Sequence, residues 1–447
     1  MKFAKYCLIF NALFMNVAVA SGGGDVHVPI YAVIPFVLIL LCIAVLPLIN
    51  GHWWHSNYPK VALFFAITMG IYDYTVSPER LGHVAIEYIA FIVLLGALFV
   101  ISGGILLKGT LVGKPLTNTI ILIIGSLLAS AIGTTGASML LIRPLIKANK
   151  DRKHTTHIFI FFIFMVSNIG GSLTPLGDPP LFLGFLQGVD FFWTFKLIPE
   201  WGFTLGVLTV LFFIIDTIQS KKDGDFTPKG TIEKFKVVGK INFLFLLGVI
   251  ATVVSYKTVK NAFPHFHFAG DIFQVGSMSL MAFLSLKFSN PKYREANEFA
   301  WEPIREVALL FSGIFACMIP ALILLEAEGS KLGVTSPAQF FWFTGILSSF
   351  LDNAPTYLTF LSLAKTLPPD GTMVQLLTGE VAEHILVGIS LGAVFMGANS
   401  YIGNGPNFMV KSIVESSGTK MPSFFGYMLW SFVILIPIFV LVNLIFI

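Results

Sequence analysis

The chain has 447 residues, of which 55% are hydrophobic and only 12% charged, with a formal net charge of +4 at pH 7. An ordinary soluble domain carries about 25% charged residues, so a mean hydropathy of +0.83 excludes a soluble enzyme, a disordered chain and a nucleic-acid binder. Most of the surface must face lipid.

Lys2 and Lys5 precede an apolar stretch that ends at Ala18-Val19-Ala20, before Ser21 and three glycines. This is the layout of a secretory signal peptide over residues 1–20, with an A-x-A cleavage site. The other reading is an uncleaved first helix. Beyond it, apolar runs predict helices over 30–49, 60–76, 84–107, 116–132 with 135–148, 155–170 with 179–188, and 198–219. A basic, polar stretch at 220–240 follows and reads as a cytoplasmic linker. The second set covers 241–257, 271–287, 303–325, 338–350 with 354–366, 383–398 with 405–416, and 424–446. Cys7, Cys42 and Cys317 lie singly inside apolar runs and read as small hydrophobes rather than as a disulfide, zinc or redox framework.

The two sets match segment by segment, giving a first repeat over 21–219 and a second over 241–447. Each contains three spans, a hairpin, a broken span and a last span. If the hairpins re-enter and leave by one face, each repeat crosses the membrane five times, and the odd number inverts the second repeat relative to the first. Basic residues test this topology, because cytoplasmic loops are enriched in Lys and Arg. With the mature N-terminus and the C-terminus on the periplasmic side, nineteen Lys and Arg fall on cytoplasmic stretches and six on outer ones. The expected fold is thus an all-α polytopic membrane protein of two inverted repeats, each with five transmembrane helices, a re-entrant hairpin and a broken helix. Its expected location is the bacterial inner membrane.

The breaks carry the chemistry. In the first half the hairpin turns at Gly133-Thr134-Thr135-Gly136, and the broken span runs from Asn168 through Ser172 and Thr174 to Gly177-Asp178-Pro179-Pro180. In the second half the turn is Asp352-Asn353-Ala354-Pro355, and the broken span runs from Asn399 to Gly403-Asn404-Gly405-Pro406. Gly and Pro end helices, and backbone freed at membrane depth must be satisfied by protein or line a cavity. Oxygens released there suit a small cation, whereas helix N-termini beside them suit an anion.

At these residues the chain resembles the ion transporter superfamily, in the branch of NhaD-type sodium/proton antiporters and citrate and arsenite carriers. Asn168 to Asp178 is similar to the family's Asn-x-Gly-Gly and Pro-Leu-Gly-Asp signature, and Asp352 to Pro355 is similar to its Asp-Asn-x-Pro hairpin tip. Departures are the Thr134-Thr135 tip and the Pro179-Pro180-Leu181 stretch, which bear on ion choice. The resemblance implies a homodimer in which a transport domain moves against a scaffold.

Asp178 and Asp352 are the two carboxylates at the breaks, and an ionisable residue at membrane depth marks a functional site; each is also suited to capping the helix that follows. Asn168, Asn353, Asn399 and Asn404 are either ligands or partners of broken backbone. Thr134, Thr135, Ser172 and Thr174 are ligands or packing hydroxyls. A sodium site is expected at Asn168, Asp178, Asp352 and Asn399. Arg143, in the return arm of the first hairpin, either snorkels to the cytoplasmic face or neutralises an anionic substrate or an empty carboxylate site. Asp73, Glu87, Asp216 and Glu326 fall near predicted helix ends, where exposure is cheap. The chain holds neither a phosphate-binding loop nor an HExxH pair. The expected function is a sodium/proton antiporter working by alternating access, with sodium and protons as coupling ions, no cofactor, and the bilayer and a small ion as partners. The alternative is a sodium- or proton-coupled symporter of citrate or another carboxylate.

Overall fold

A computed structural model describes residues 28–109, 111–224, 236–263, 265–266 and 268–447. The leader expected at 1–20 and the centre of the linker lie outside the described residues. A 3-10 turn at Ile30–Val33 leads into α1 (Ile34–Val76), where the sequence predicts two separate helices. The interruption is confined to Asn50, whose backbone leaves the helical region (φ −148°, ψ 77°). Its side chain accepts from the Trp53 N–H at 3.0 Å and so restarts the helix at once. Helix α2 (Pro78–Gly103) follows, and β1 (Leu106–Lys108) closes this section.

The first hairpin is α3 (Pro115–Ile132) and α4 (Thr134–Ala148). Between them Gly133 holds φ 81°, a left-handed conformation that a side chain would resist. The broken span is α5 (Thr156–Met165), a 3-10 turn at Ile169–Leu173, and α6 (Pro179–Leu186). Helix α7 (Ile198–Asp223) completes the half. Strand β2 (Lys236–Val238) pairs antiparallel with β1, so the end of the linker is tied back to the first half.

The second half comprises α8 (Ile241–Ala262), α9 (Ala269–Phe288), a short α10 (Pro291–Ala296) and α11 (Glu302–Glu328). Its hairpin is α12 (Pro337–Ser348) with α13 (Asn353–Ala364). At 1.5 Å per residue each of these 12-residue arms spans about 18 Å, too short to cross a hydrocarbon core of about 30 Å. A β-ribbon of β3 (Met373–Gln375) and β4 (Glu380–Ala382) precedes the second broken span. That span is α14 (Glu383–Met396), a 3-10 turn at Gly397–Asn399, and α15 (Gly405–Ser416); α16 (Phe424–Phe446) ends the chain.

Among the described residues, nine helices are long and apolar enough to cross a membrane. Their outward faces carry exposed apolar side chains such as Phe425, Phe432 and Leu444, the surface of an integral membrane protein. Two groups of helices are evident: α1, α2, α8, α9 and α11 pack on one another, while both hairpins and both broken spans form the other group. The first broken span is the most deeply sheathed, with 89% of its Thr156–Leu173 window buried against 28% for α16. The hairpins also exchange partners between halves. Helix α4 packs on α15 of the second broken span, and α13 packs on α6 of the first.

Asp216, expected near an exposed helix end, is fully buried. It accepts from Arg152 Nη2 at 2.5 Å, His157 Nε2 at 2.9 Å and Asn118 Nδ2 at 2.9 Å, which ties α3, α5 and α7 together. Asp73 is buried as well, whereas Glu326 pairs with Arg80 at a partly exposed position and Glu87 accepts from Gln187. The helix ends carrying Asp216 and Asp73 are covered by neighbouring helices, which hydropathy along one segment does not register. Removing one member of a buried ion pair leaves its partner's charge uncompensated, at a cost of about 3–5 kcal/mol. Arg152→Ala should therefore lower the unfolding temperature of the purified protein and its yield in membranes, with Lys153→Ala as the exposed comparison that changes neither.

Candidate functional site

The two breaks have the same local geometry. Thr174 and Ser400, each closing a 3-10 turn, are extended at φ/ψ −145°/158° and −140°/169°. Asp178 and Asn404, each starting the next helix, are extended at −144°/144° and −152°/140°. Their anchoring repeats too. Ser130 on α3 donates to Gly170 O at 2.5 Å, and Ser349 beside α12 donates to Met396 O at 3.1 Å. Thr174 Oγ1 returns a hydrogen bond to Ser130 O, and Ser400 Oγ returns one to Ser349 O. Backbone leaving the helix is thereby satisfied by hydroxyls of the hairpins, as membrane depth demands.

The halves meet at Asp178. Thr134, from the first hairpin tip, donates through Oγ1 to Asp178 Oδ1 at 2.9 Å. Asn404, from the second break, donates to the same oxygen at 3.0 Å, and Asn353, from the second hairpin tip, donates to Oδ2. Thr134 and Asn353 occupy matching places in their hairpins, as do Asp178 and Asn404 in their breaks. Asp178 is 2% exposed, and no Lys, Arg or His pairs with it among the described residues. A buried carboxylate without a cationic partner is costly and calls for a proton or a metal ion. Asn353 Oδ1, on the residue that faces Asp178, is buried and has no hydrogen-bond partner among the described residues. Thr134 Oγ1, Asp178 and Asn353 Oδ1 are thus hard oxygens on adjoining residues, the donor type a small cation takes.

The other expected residues take different places. Asn168 spans the two halves: its Nδ2 donates to Asn407 Oδ1 at 2.7 Å and Ile163 O at 2.8 Å, while its Oδ1 accepts from Asn404 at 3.2 Å. Asn399 donates to Ser349 Oγ at 3.0 Å, and its Oδ1 is buried without a partner among the described residues. Asp352 caps α13, accepting from the Ala354 N–H at 3.0 Å, next to the Asn353 that reaches Asp178. Thr174 and Ser172 are engaged with backbone carbonyls. Arg143 is paired with Glu298 at 2.8 Å, nine residues along α4 from Thr134 and so about 13 Å from the tip.

Thr135 lines a cavity of about 60 Å³ beside Asp178, walled by α2, the first hairpin tip, the first break and α11. That is room for a few waters or one hydrated ion, and no Lys, Arg or His lines it.

Asn407 is absent from the sequence-based set. Its Nδ2 donates to Gly397 O at 2.8 Å and Ser400 O at 2.9 Å while its Oδ1 holds Asn168, so it joins the two breaks. Its signal is its place three residues after Asn404, which puts both amides on one side of the first turn of α15.

Gly177 makes the closest approach in the site, since a Cβ there would lie 2.1 Å from Gly171 O, which is backbone and cannot swing aside. Gly177→Ala should cost at least about 1–3 kcal/mol, read as a lower unfolding temperature of the purified protein. Gly276→Ala, where a Cβ meets nothing within 4 Å, should leave that temperature unchanged or raise it.

Two uncharacterized transporters, one of Mycobacterium bovis and one of Mycobacterium tuberculosis, are each 26% identical to this chain over 327 residues, covering 69% of it and 72% of their own length. Residues 25–447 match the family described as "Putative citrate transport". The match takes in both hairpins, both breaks and every residue around Asp178, and the chain belongs to this family of transporters, not of enzymes.

Proposed function

We propose that the protein is a secondary active transporter that exchanges sodium for protons at Asp178 by alternating access. One observation carries this reading: the carboxylate where the two halves meet is buried, lacks a cationic partner among the described residues, and has the orphaned Asn353 Oδ1 beside it. A proton or a sodium ion neutralises such a group, and each excludes the other. The occupant, exchanged on one side, is carried to the other when the hairpins and breaks shift against the α1, α2, α8, α9 and α11 group. Thr134 and Asn353 contribute oxygens to sodium, Asn404 and Asn168 hold the carboxylate and the breaks in place, and Asp352 and Asn399 lie in the surrounding shell. The NhaD-type branch, the inverted repeats, the homodimer, a cleaved leader and termini on the periplasmic side of a bacterial inner membrane belong to the same proposal.

The family description favours a second reading, coupled symport of citrate or another carboxylate. The cavity at Asp178 is far smaller than the roughly 300–1,000 Å³ of small-molecule sites, and no cation lines it. These two facts favour the sodium/proton reading over carboxylate symport.

In everted vesicles, Asp178→Asn should abolish sodium-dependent dequenching of a pH-sensitive dye while the protein stays in the membrane at the level of the unmodified chain. Unchanged dequenching overturns the assignment. Because protons and sodium compete, lowering the pH should raise the apparent KM for sodium with little change in the maximal rate. Labelled citrate uptake into proteoliposomes under a sodium gradient, with no proton exchange, would establish the second reading instead.

A further inference from the structure

Three cavities share lining residues in series, the first two between α2 and α4 and the third between β1 with the loop after it and the far end of α4. The first is the space beside Asp178. Phe99 lines it and also lines the second, of about 10 Å³, to which Ser102, Met139 and Phe299 contribute. Asn297 lines the second and also the third, a chamber of about 530 Å³ whose wall carries Lys108, Arg143, Lys147 and Lys150. Only Arg143 of these four has an ion-pair partner among the described residues.

The narrow point is held by residues 297–299. Asn297 clamps the end of α2, donating to Gly103 O at 2.9 Å and Ile105 O at 2.6 Å. Phe299 packs on Phe99 with ring centroids 5.0 Å apart, and its ring reaches within 2.6 Å of where a Gly103 Cβ would stand. Between them Glu298 has φ 49°, alone among the described non-glycine residues in being positive, a left-handed conformation with a steric cost for an L-residue. What it gains there is Arg143, 2.8 Å from its carboxylate. Glu298 itself is largely exposed, and Arg143 Nη1 is buried without a hydrogen-bond partner among the described residues.

We propose that the basic chamber is an anion-collecting vestibule, and that the Arg143–Glu298 pair latches Phe299 as a plug between it and the Asp178 site. The ligand is a small organic anion with more than one carboxylate, and for that identity the inference rests on the second reading above. The four cations concentrate the anion. One of its carboxylates takes Arg143 from Glu298, whose backbone then leaves the left-handed region and lets Phe299 withdraw. Arg143 is here a positioning residue, acting through Glu298 on the plug.

The test labels Met139→Cys, in the middle cavity, in the purified protein. Two methanethiosulfonate reagents are used, one bearing a sulfonate and one a trimethylammonium. Each rate is divided by that of the same reagent with a free thiol and corrected for labelling of the parental chain at its own cysteines. The anionic reagent should react about tenfold faster than the cationic one. That preference should collapse in Lys147→Gln/Lys150→Gln and, without those substitutions, at high salt. Glu298→Gln, which unlatches the plug, should speed both reagents. Labelling no faster than in the parental chain, or a charge preference that survives both salt and lysine removal, overturns the proposal. Citrate uptake is read separately: its absence with the labelling pattern intact removes the carboxylate cargo, whereas uptake without the pattern removes the vestibule.

Discussion

Backbone that leaves a helix within a bilayer loses its internal hydrogen bonds where no water replaces them, and each unsatisfied group costs several kcal/mol. This chain interrupts two spans in that setting, so every freed carbonyl and amide needs a protein partner. The solution is mutual. Hairpin serines and the hydroxyls of Thr174 and Ser400 satisfy each break from within its own half, and Asn168, Asn404 and Asn407 then join the breaks to each other. Asp178 sits where those hydrogen bonds converge. The second tip takes part across the halves, with Asn353 reaching Asp178 in the opposite break, whereas Thr134 of the first tip reaches it from within its own half.

This arrangement separates two jobs that polar residues do at membrane depth. Asn168 and Asn407 have their amides fully occupied in holding backbone and each other, as a structural amide does. Asn353 spends its Nδ2 on Asp178 and keeps Oδ1 unspent. A similar surplus appears at Asn399, on the second break. Residue type alone does not distinguish the two roles, since all four are asparagines at breaks or at a hairpin tip; the count of satisfied atoms does.

Much of this was legible in the sequence. Uninterrupted apolar runs announced the spans, and Gly and Pro marked the hairpin tip and the breaks at Gly177-Asp178 and Gly403-Asn404, where Asp178 and Asn404 share one extended backbone conformation. Less visible was anything that depends on what packs alongside. Asp216 reads as a cheap charge near a helix end because Arg152, His157 and Asn118 are remote in sequence. Asn50 reads as the start of a loop because its capping of Trp53 leaves no trace in hydropathy. Asp352 and Asp178 look equivalent as carboxylates at breaks, yet one caps its own helix and the other receives both halves.

The donors around Asp178 are shared unequally: one comes from its own half and two from the other. Separating the second-half amides from the first break would leave the carboxylate with Thr134 alone, a loss far heavier for a bare anion than for a neutralised one. On the proposed reading, occupancy and the docking of the halves are linked variables. By thermodynamic reciprocity, whatever an ion contributes to undocking, undocking returns to that ion's affinity. On the proposed mechanism, coupling between chemistry and movement requires no separate transmitting element, because the bonds that hold the carboxylate are the bonds that join the halves.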